Sequence, residues 1–140
     1  MSDSMESLQK LIQKRNELIK DIDQLSALLP TDVELEDSKK ANDVIQNFTS
    51  ERECIEEELD RLSNEAIKDI SPAERKALQE AYDRLKDRIY TCFAIVDKYI
   101  PDLLTMNQNH SLELWYSKCR ELRGIMVEIL EIGHNISAEC

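Results

Sequence analysis

Apolar side chains recur along most of this chain at alternating steps of three and four residues, which keeps a narrow stripe on one face of an α-helix. The longest unbroken run is Leu78, Tyr82, Leu85, Ile89, Cys92, Val96 and Tyr99. Strands favour aromatic and β-branched residues, and aromatics make up only 5% of the chain. The pattern therefore predicts an all-α fold, in which long helices form a coiled coil or a bundle of helical hairpins.

Three prolines lie where the apolar pattern stops or starts, and proline is tolerated at the first turn of a helix but disruptive inside it. Ser71-Pro72-Ala73-Glu74 offers a capping hydroxyl, a proline at the first helical position and a glutamate three residues after the cap. We expect Gly133 to end the last helix and residues 30–38 to form an acidic connector. The prediction is one helical unit over residues 1–140, with helices at about 4–29, 38–70, 72–100 and 102–132.

One arginine interrupts the apolar stripe in each of the first two helices: Arg15 in the first and Arg52 in the second. Two interpretations remain open. Each guanidinium reaches solvent while its stem covers apolar surface, or each pairs with an acidic residue on a neighbouring helix and fixes the register.

The stripes of the third and fourth helices are the predicted partner-binding surface. Narrow stripes and few aromatics favour a partly open arrangement completed by partner helices, although a closed antiparallel bundle is also compatible with the short connections. Trp115 belongs to this surface as a candidate hot spot, with burial in the chain's own bundle as the alternative. The predicted seam residues are Leu78, Tyr82, Leu85, Ile89, Val96, Tyr99, Leu112, Trp115, Leu122, Met126 and Ile129.

The net charge of −11 disfavours polyanionic ligands. Nucleic-acid affinity depends on neutralising phosphates, and no basic stripe with interleaved aromatics is present. The sequence also lacks an apolar run of roughly 20 residues and the features of a signal peptide. We therefore expect a cytoplasmic protein that binds neither nucleic acid nor membranes, with its four cysteines as thiols.

The chain offers little material for catalysis or metal binding. His110 and His134 stand far apart, and two glycines cannot build a phosphate-binding loop. Cys92 and Cys119 fall on apolar stripes, where packing is the expected role. The carboxylates around Glu56 are expected to form a solvated face, because consecutive helical side chains point in different directions. The sequence predicts no enzyme, cofactor, metal or small-molecule substrate.

The heptad run over residues 78–99 and the segment Leu112-Glu-Leu-Trp-Tyr-Ser-Lys-Cys-Arg-Glu-Leu-Arg123 carry a family resemblance. In length, acidity and helix pattern the chain resembles the small coiled-coil subunits of the augmin complex, which belong to spindle assemblies. The resemblance implies a structural role in a hetero-oligomer of coiled-coil subunits that recruits the γ-tubulin ring complex to spindle microtubules during mitosis. Microtubule contact would then come from a basic partner subunit.

A second resemblance leads to a different class of function. Gln13–Lys20 and Ser50–Glu57 resemble the helical hairpins of bacterial flagellar export chaperones, which sequester helices of secreted subunits. Either resemblance implies a protein that binds other helices.

Overall fold

Four long α-helices make up the fold. The computed structural model describes the backbone of residues 2–32, 35–66, 68, 71–107 and 110–138, and the side chains of residues 5–27, 42–66, 68, 71–105 and 110–136. The helices are α1 (Ser2–Asp32), α2 (Leu35–Ala66), α3 (Pro72–Asn107) and α4 (His110–Ala138). Within these ranges there is no strand, so the predicted all-α bundle is confirmed.

Consecutive helices run antiparallel. Arg15 of α1 meets Asp60 of α2, while Asp23, further along α1, meets Arg52, earlier on α2. Helix α1 also packs along α4, and α2 reaches α4 across the middle of the bundle, whereas α1 and α3 do not approach each other in the described part of the chain. Of the two arrangements compatible with the sequence, the structure therefore has the antiparallel bundle.

The centre of the core is aromatic. The Phe48 ring packs edge-on against both Phe93 and Trp115, with ring centroids 5.1 and 5.6 Å apart. The Trp115 indole Nε1 donates a hydrogen bond of 2.8 Å to Ser26 Oγ. Because these four residues come one from each helix, the cluster ties all four helices together at one level.

The start of α3 follows its predicted cap. The Ser71 hydroxyl accepts a hydrogen bond from the Glu74 backbone N–H at 3.2 Å and donates one to the Glu74 carboxylate at 3.0 Å. Pro72 opens the helix. This satisfies one of the donors that a helix N-terminus leaves without a partner.

Pro101 does not end a helix, contrary to the sequence-based boundary between residues 100 and 102. It lies inside α3, which continues to Asn107. Proline lacks the N–H that would bond one turn back, and its presence inside a helix costs about 3 kcal/mol. Ile100 and Leu103, on either side, are both buried in the core. Their burial offsets the lost hydrogen bond.

Gly133 does not end α4, which continues to Ala138. It is instead the point where α4 passes closest to Tyr82 of α3. A β-carbon built on Gly133 would lie 2.3 Å from the Tyr82 hydroxyl oxygen. Glycine therefore leaves room here for the Tyr82 ring and does not serve a turn.

Most of the predicted acidic connector over residues 30–38 is helical in the structure. Residues 30–32 belong to α1, and α2 begins at Leu35. The predicted second helix also ran to residue 70, whereas α2 ends at Ala66, with 67, 69 and 70 outside the described residues. In the described part of the chain, no helix has both the length and the apolar character needed to cross a membrane.

Candidate partner-binding seams

The predicted apolar seam of α3 and α4 lies inside the chain's own core. Ten of its eleven residues are buried, and Tyr99 is half-buried against the same core. Trp115 is fully buried, so it is not a surface hot spot in this conformation. The closed bundle therefore does not present this seam, and binding through it remains a prediction that requires the bundle to open.

The polar groups within the apolar seam are held in their neutral forms. Burial raises the pKa of Tyr82 to about 12 and that of Cys92 to about 12. Burial also raises the pKa of the Cys119 thiol well above its usual range. Both cysteines lie in the core, at 2% and 0% exposure, which confirms the expectation that they pack as small hydrophobes.

A second seam joins α1 to α2, and its chemistry is the opposite. We call it the charged seam and define it by Arg15 and Asp23 of α1 with Arg52, Glu56 and Asp60 of α2. The Arg15 and Arg52 side chains are only 3% and 1% exposed, whereas Asp23 and Asp60 are each 50% exposed. Since the guanidinium groups do not reach solvent, the interpretation that they extend outward is wrong.

Each arginine pairs with an aspartate on the other helix. Arg15 Nη1 lies 2.8 Å from Asp60 Oδ1, and Arg52 Nη2 donates a 2.9 Å hydrogen bond to Asp23 Oδ1. Arg15 Nε and Nη2 also donate to Asn16 Oδ1, at 3.2 and 3.0 Å. The alternative interpretation, pairing between helices, is therefore confirmed, and the two ion pairs lie about two helical turns apart along the seam.

Glu56 is the third carboxylate of the charged seam. Its side chain is 16% exposed, and its Oε1 lies 2.9 Å from Arg52 Nε, although neither atom makes an aligned hydrogen bond there. The expected solvated face is thus only partly correct. Glu53 and Glu57 are exposed, whereas Glu56 is largely buried between the helices.

The charged seam has a sequence signal that stripe analysis missed. An aspartate follows each arginine after eight positions, at 15 and 23 in α1 and at 52 and 60 in α2, and the second pair repeats the first 37 positions later. Two antiparallel helices that each carry this spacing can satisfy both arginines at once. Searching the flanks of the stripe for acidic residues at a repeated distance would have found Asp23 and Asp60.

An open groove of about 650 Å³ lies along the charged seam. Its walls are formed by residues of both helices: Arg15, Asn16, Ile19, Lys20, Asp23, Gln24 and Ala27 of α1, with Glu56 and Asp60 of α2. Helices α1 and α2 approach each other least closely of the adjacent pairs, so long side chains span the gap. Among the described residues, including those of this groove, no three histidine, cysteine, aspartate or glutamate side chains converge to hold a metal ion.

At the opposite edge of the bundle, polar surface contacts bridge α3 and α4. Tyr116 donates a 2.8 Å hydrogen bond to Asp97 Oδ1, and Arg123 Nη1 lies 2.8 Å from Asp97 Oδ2. Both carboxylate oxygens of Asp97 are therefore engaged from α4. A groove of about 570 Å³ lies beside these contacts, with Leu104, Tyr116 and Arg123 among its lining residues.

Comparison with known proteins adds no relative. No protein-family model, curated protein or solved structure matches the chain.

Proposed function

We propose that this chain is a non-enzymatic helical subunit of a hetero-oligomeric complex and that its partners are other coiled-coil proteins. The observation that supports this most directly is that four helices of 29 to 36 residues use their buried polar groups for pairing with one another. In the described residues, the buried arginines meet carboxylates across a helix seam, and the buried thiols are neutral. This is the chemistry of helix recognition.

Within that class we propose an augmin-like role, in which the subunit supports γ-tubulin recruitment and microtubule nucleation on the mitotic spindle. The support is the resemblance carried by residues 78–99 and 112–123, together with the length of the helices. The net charge of −11 suits a subunit that contacts basic partners and leaves the acidic microtubule surface to them.

The test is affinity purification of the tagged full chain from mitotic cells of its source organism, followed by mass spectrometry and by imaging of a fluorescent fusion. We expect γ-tubulin ring components and coiled-coil spindle proteins to co-purify, and the fusion to lie on the spindle. Capture of secreted flagellar subunits would favour the export-chaperone alternative. A monomeric chain that is absent from the spindle would contradict the proposal.

Two variants show whether capture depends on the apolar seam. Leu85→Asp and Ile89→Asp place a charge at positions that are 1% and 0% exposed, so both should abolish capture. Because they should also unfold the bundle, circular dichroism must accompany the assay. Tyr90→Asp, at a neighbouring position that is 47% exposed, is the matched control and should keep both the fold and the partners.

A further inference from the structure

Glu56 occupies an unusual position in the charged seam. It lies one helical turn after Arg52 and one before Asp60 on α2. It also lines the open groove whose other wall is formed by α1. Its Oε1 is buried and makes no aligned hydrogen bond. A buried acceptor without a hydrogen bond is costly, and more so when it is charged.

The charges around Glu56 do not balance. Two guanidinium groups face three carboxylates, and each guanidinium is already paired with an aspartate: Arg15 with Asp60 and Arg52 with Asp23. Glu56 therefore shares Arg52 with Asp23 and has no cation of its own. It is also the most buried of the three carboxylates.

The remaining charged groups do not supply the missing cation. Lys20 on the α1 wall of the groove and Glu53 on α2 are both exposed and of opposite sign. Of the charges on α3 and α4, Arg88 pairs with Glu51 and Lys118 pairs with Asp21. Arg123 of α4 pairs with Asp97 on the far edge.

We propose that Glu56 carries a proton in the closed bundle from mildly acidic pH up to near neutrality and releases it when α1 separates from α2, so that opening of the charged seam is linked to pH. A neutral Glu56 leaves two balanced ion pairs in the seam. Once the helices separate, water solvates the carboxylate and the proton leaves. Any partner helix that opens this seam would release the same proton.

The electrostatics of the site agree with this arrangement. The pKa of Glu56 is raised from 4.5 to about 7, and burial is the largest cause. Arg52 and Arg15 act to lower this pKa, whereas Asp23 and Glu53 act to raise it. A folded-state pKa above the unfolded value stabilises the closed form fully below the unfolded pKa. That stabilisation is lost as the pH rises through about 7.

The experiment measures urea unfolding of the full chain between pH 5 and 8.5 for the wild type, Glu56→Gln and Glu57→Gln. Glutamine mimics the protonated form of Glu56, and Glu57 is the exposed neighbour. Relative to Glu56→Gln, the unfolding constant of the wild type should rise by up to about tenfold per pH unit between pH 5 and 7. Glu57→Gln should follow the wild type, and equal pH slopes for wild type and Glu56→Gln would overturn the proposal.

A direct measurement covers the case in which a variant folds poorly. The ¹³C chemical shift of the Glu56 side-chain carboxyl in the wild-type protein should titrate with a midpoint near pH 7. A Glu56 midpoint below pH 5 would sink the idea.

Discussion

The bundle has two kinds of helix seam made from the same stripe pattern. In the apolar seam of α3 and α4, the interior positions are filled by residues such as Ile89 and Met126, both 0% exposed. In the charged seam, the positions that lie 37 and 74 residues before Ile89 are occupied by Arg52 and Arg15. One seam gains stability from burying hydrocarbon, whereas the other buries charge, which adds little net stability but penalises every wrong pairing.

The difference teaches how register is set. Sliding α1 along α2 by one heptad would keep an apolar stripe in contact, but it would remove both aspartates from both arginines. Breaking a buried pair costs about 3–5 kcal/mol, so a shifted register is strongly disfavoured. Helix α3 retains the equivalent aspartate, Asp97, but with isoleucine in place of the arginine, and it is Arg123 of α4 that pairs with it.

The largest loss of stability is expected when a charge is placed in the apolar seam. Ile89→Arg copies onto α3 the residue that α1 and α2 carry at the equivalent position. We expect a loss of about 4 kcal/mol or more in the free energy of unfolding, since the cation is buried without a designed partner. Urea denaturation followed by circular dichroism measures this. Ile89→Met, which copies α4, is the control and should cost about 1 kcal/mol; similar losses for both would contradict the distinction.

Removing a cation from the charged seam should have the next largest effect. Arg52→Ala leaves Asp23 and Glu56 without their guanidinium and exposes a gap beside Phe48, so we expect a loss of about 3 kcal/mol. Arg88→Ala removes an exposed pair with Glu51 and should change stability by no more than about 0.5 kcal/mol. Thermal and urea unfolding measure both variants. If Arg52→Ala and Arg88→Ala lost the same stability, burial of the ion pair would be shown to be irrelevant.

Converting the charged seam into an apolar one sharpens the comparison further. The combined variant Arg15→Leu, Arg52→Leu and Glu56→Leu should be more stable by about 1–3 kcal/mol, because apolar replacement of a buried ion cluster removes its desolvation cost. It should also lose its single register. We expect several sets of α1 amide resonances in ¹⁵N-edited NMR spectra and a broader range of captured partners. A single set of amide resonances, together with a lower free energy of unfolding than the wild type, would contradict a role in setting the register.

The smallest expected effect concerns the close contact within the apolar seam. Gly133→Ala forces the buried Tyr82 ring to move, and we expect a loss of about 1 kcal/mol, the overpacking being partly offset by the better helix propensity of alanine. Gly124→Ala is the control, since a β-carbon there meets nothing within 4 Å. It should raise the unfolding temperature slightly, and a matching rise for Gly133→Ala would show that the contact is not tight.

The sequence predicted the helices, the apolar stripes and the cap at Ser71 because these features depend on local periodicity and on side chains that reach their own backbone. It did not predict that Pro101 stays inside a helix. The reason is that the penalty of a proline is local, while the burial of Ile100 and Leu103 that offsets it depends on packing against other helices. Gly133 was misread for the same reason, since its role depends on Tyr82, which lies 51 positions earlier.

The sequence by itself determined that the chain forms long amphipathic α-helices with an arginine in each of the first two stripes. Only the tertiary structure decided that those arginines are buried and paired crosswise, and that the seam they form holds one carboxylate too many. Periodicity is a property of a single helix and can be read along the chain. Charge balance and burial belong to the space between helices, and they exist only once the helices have packed.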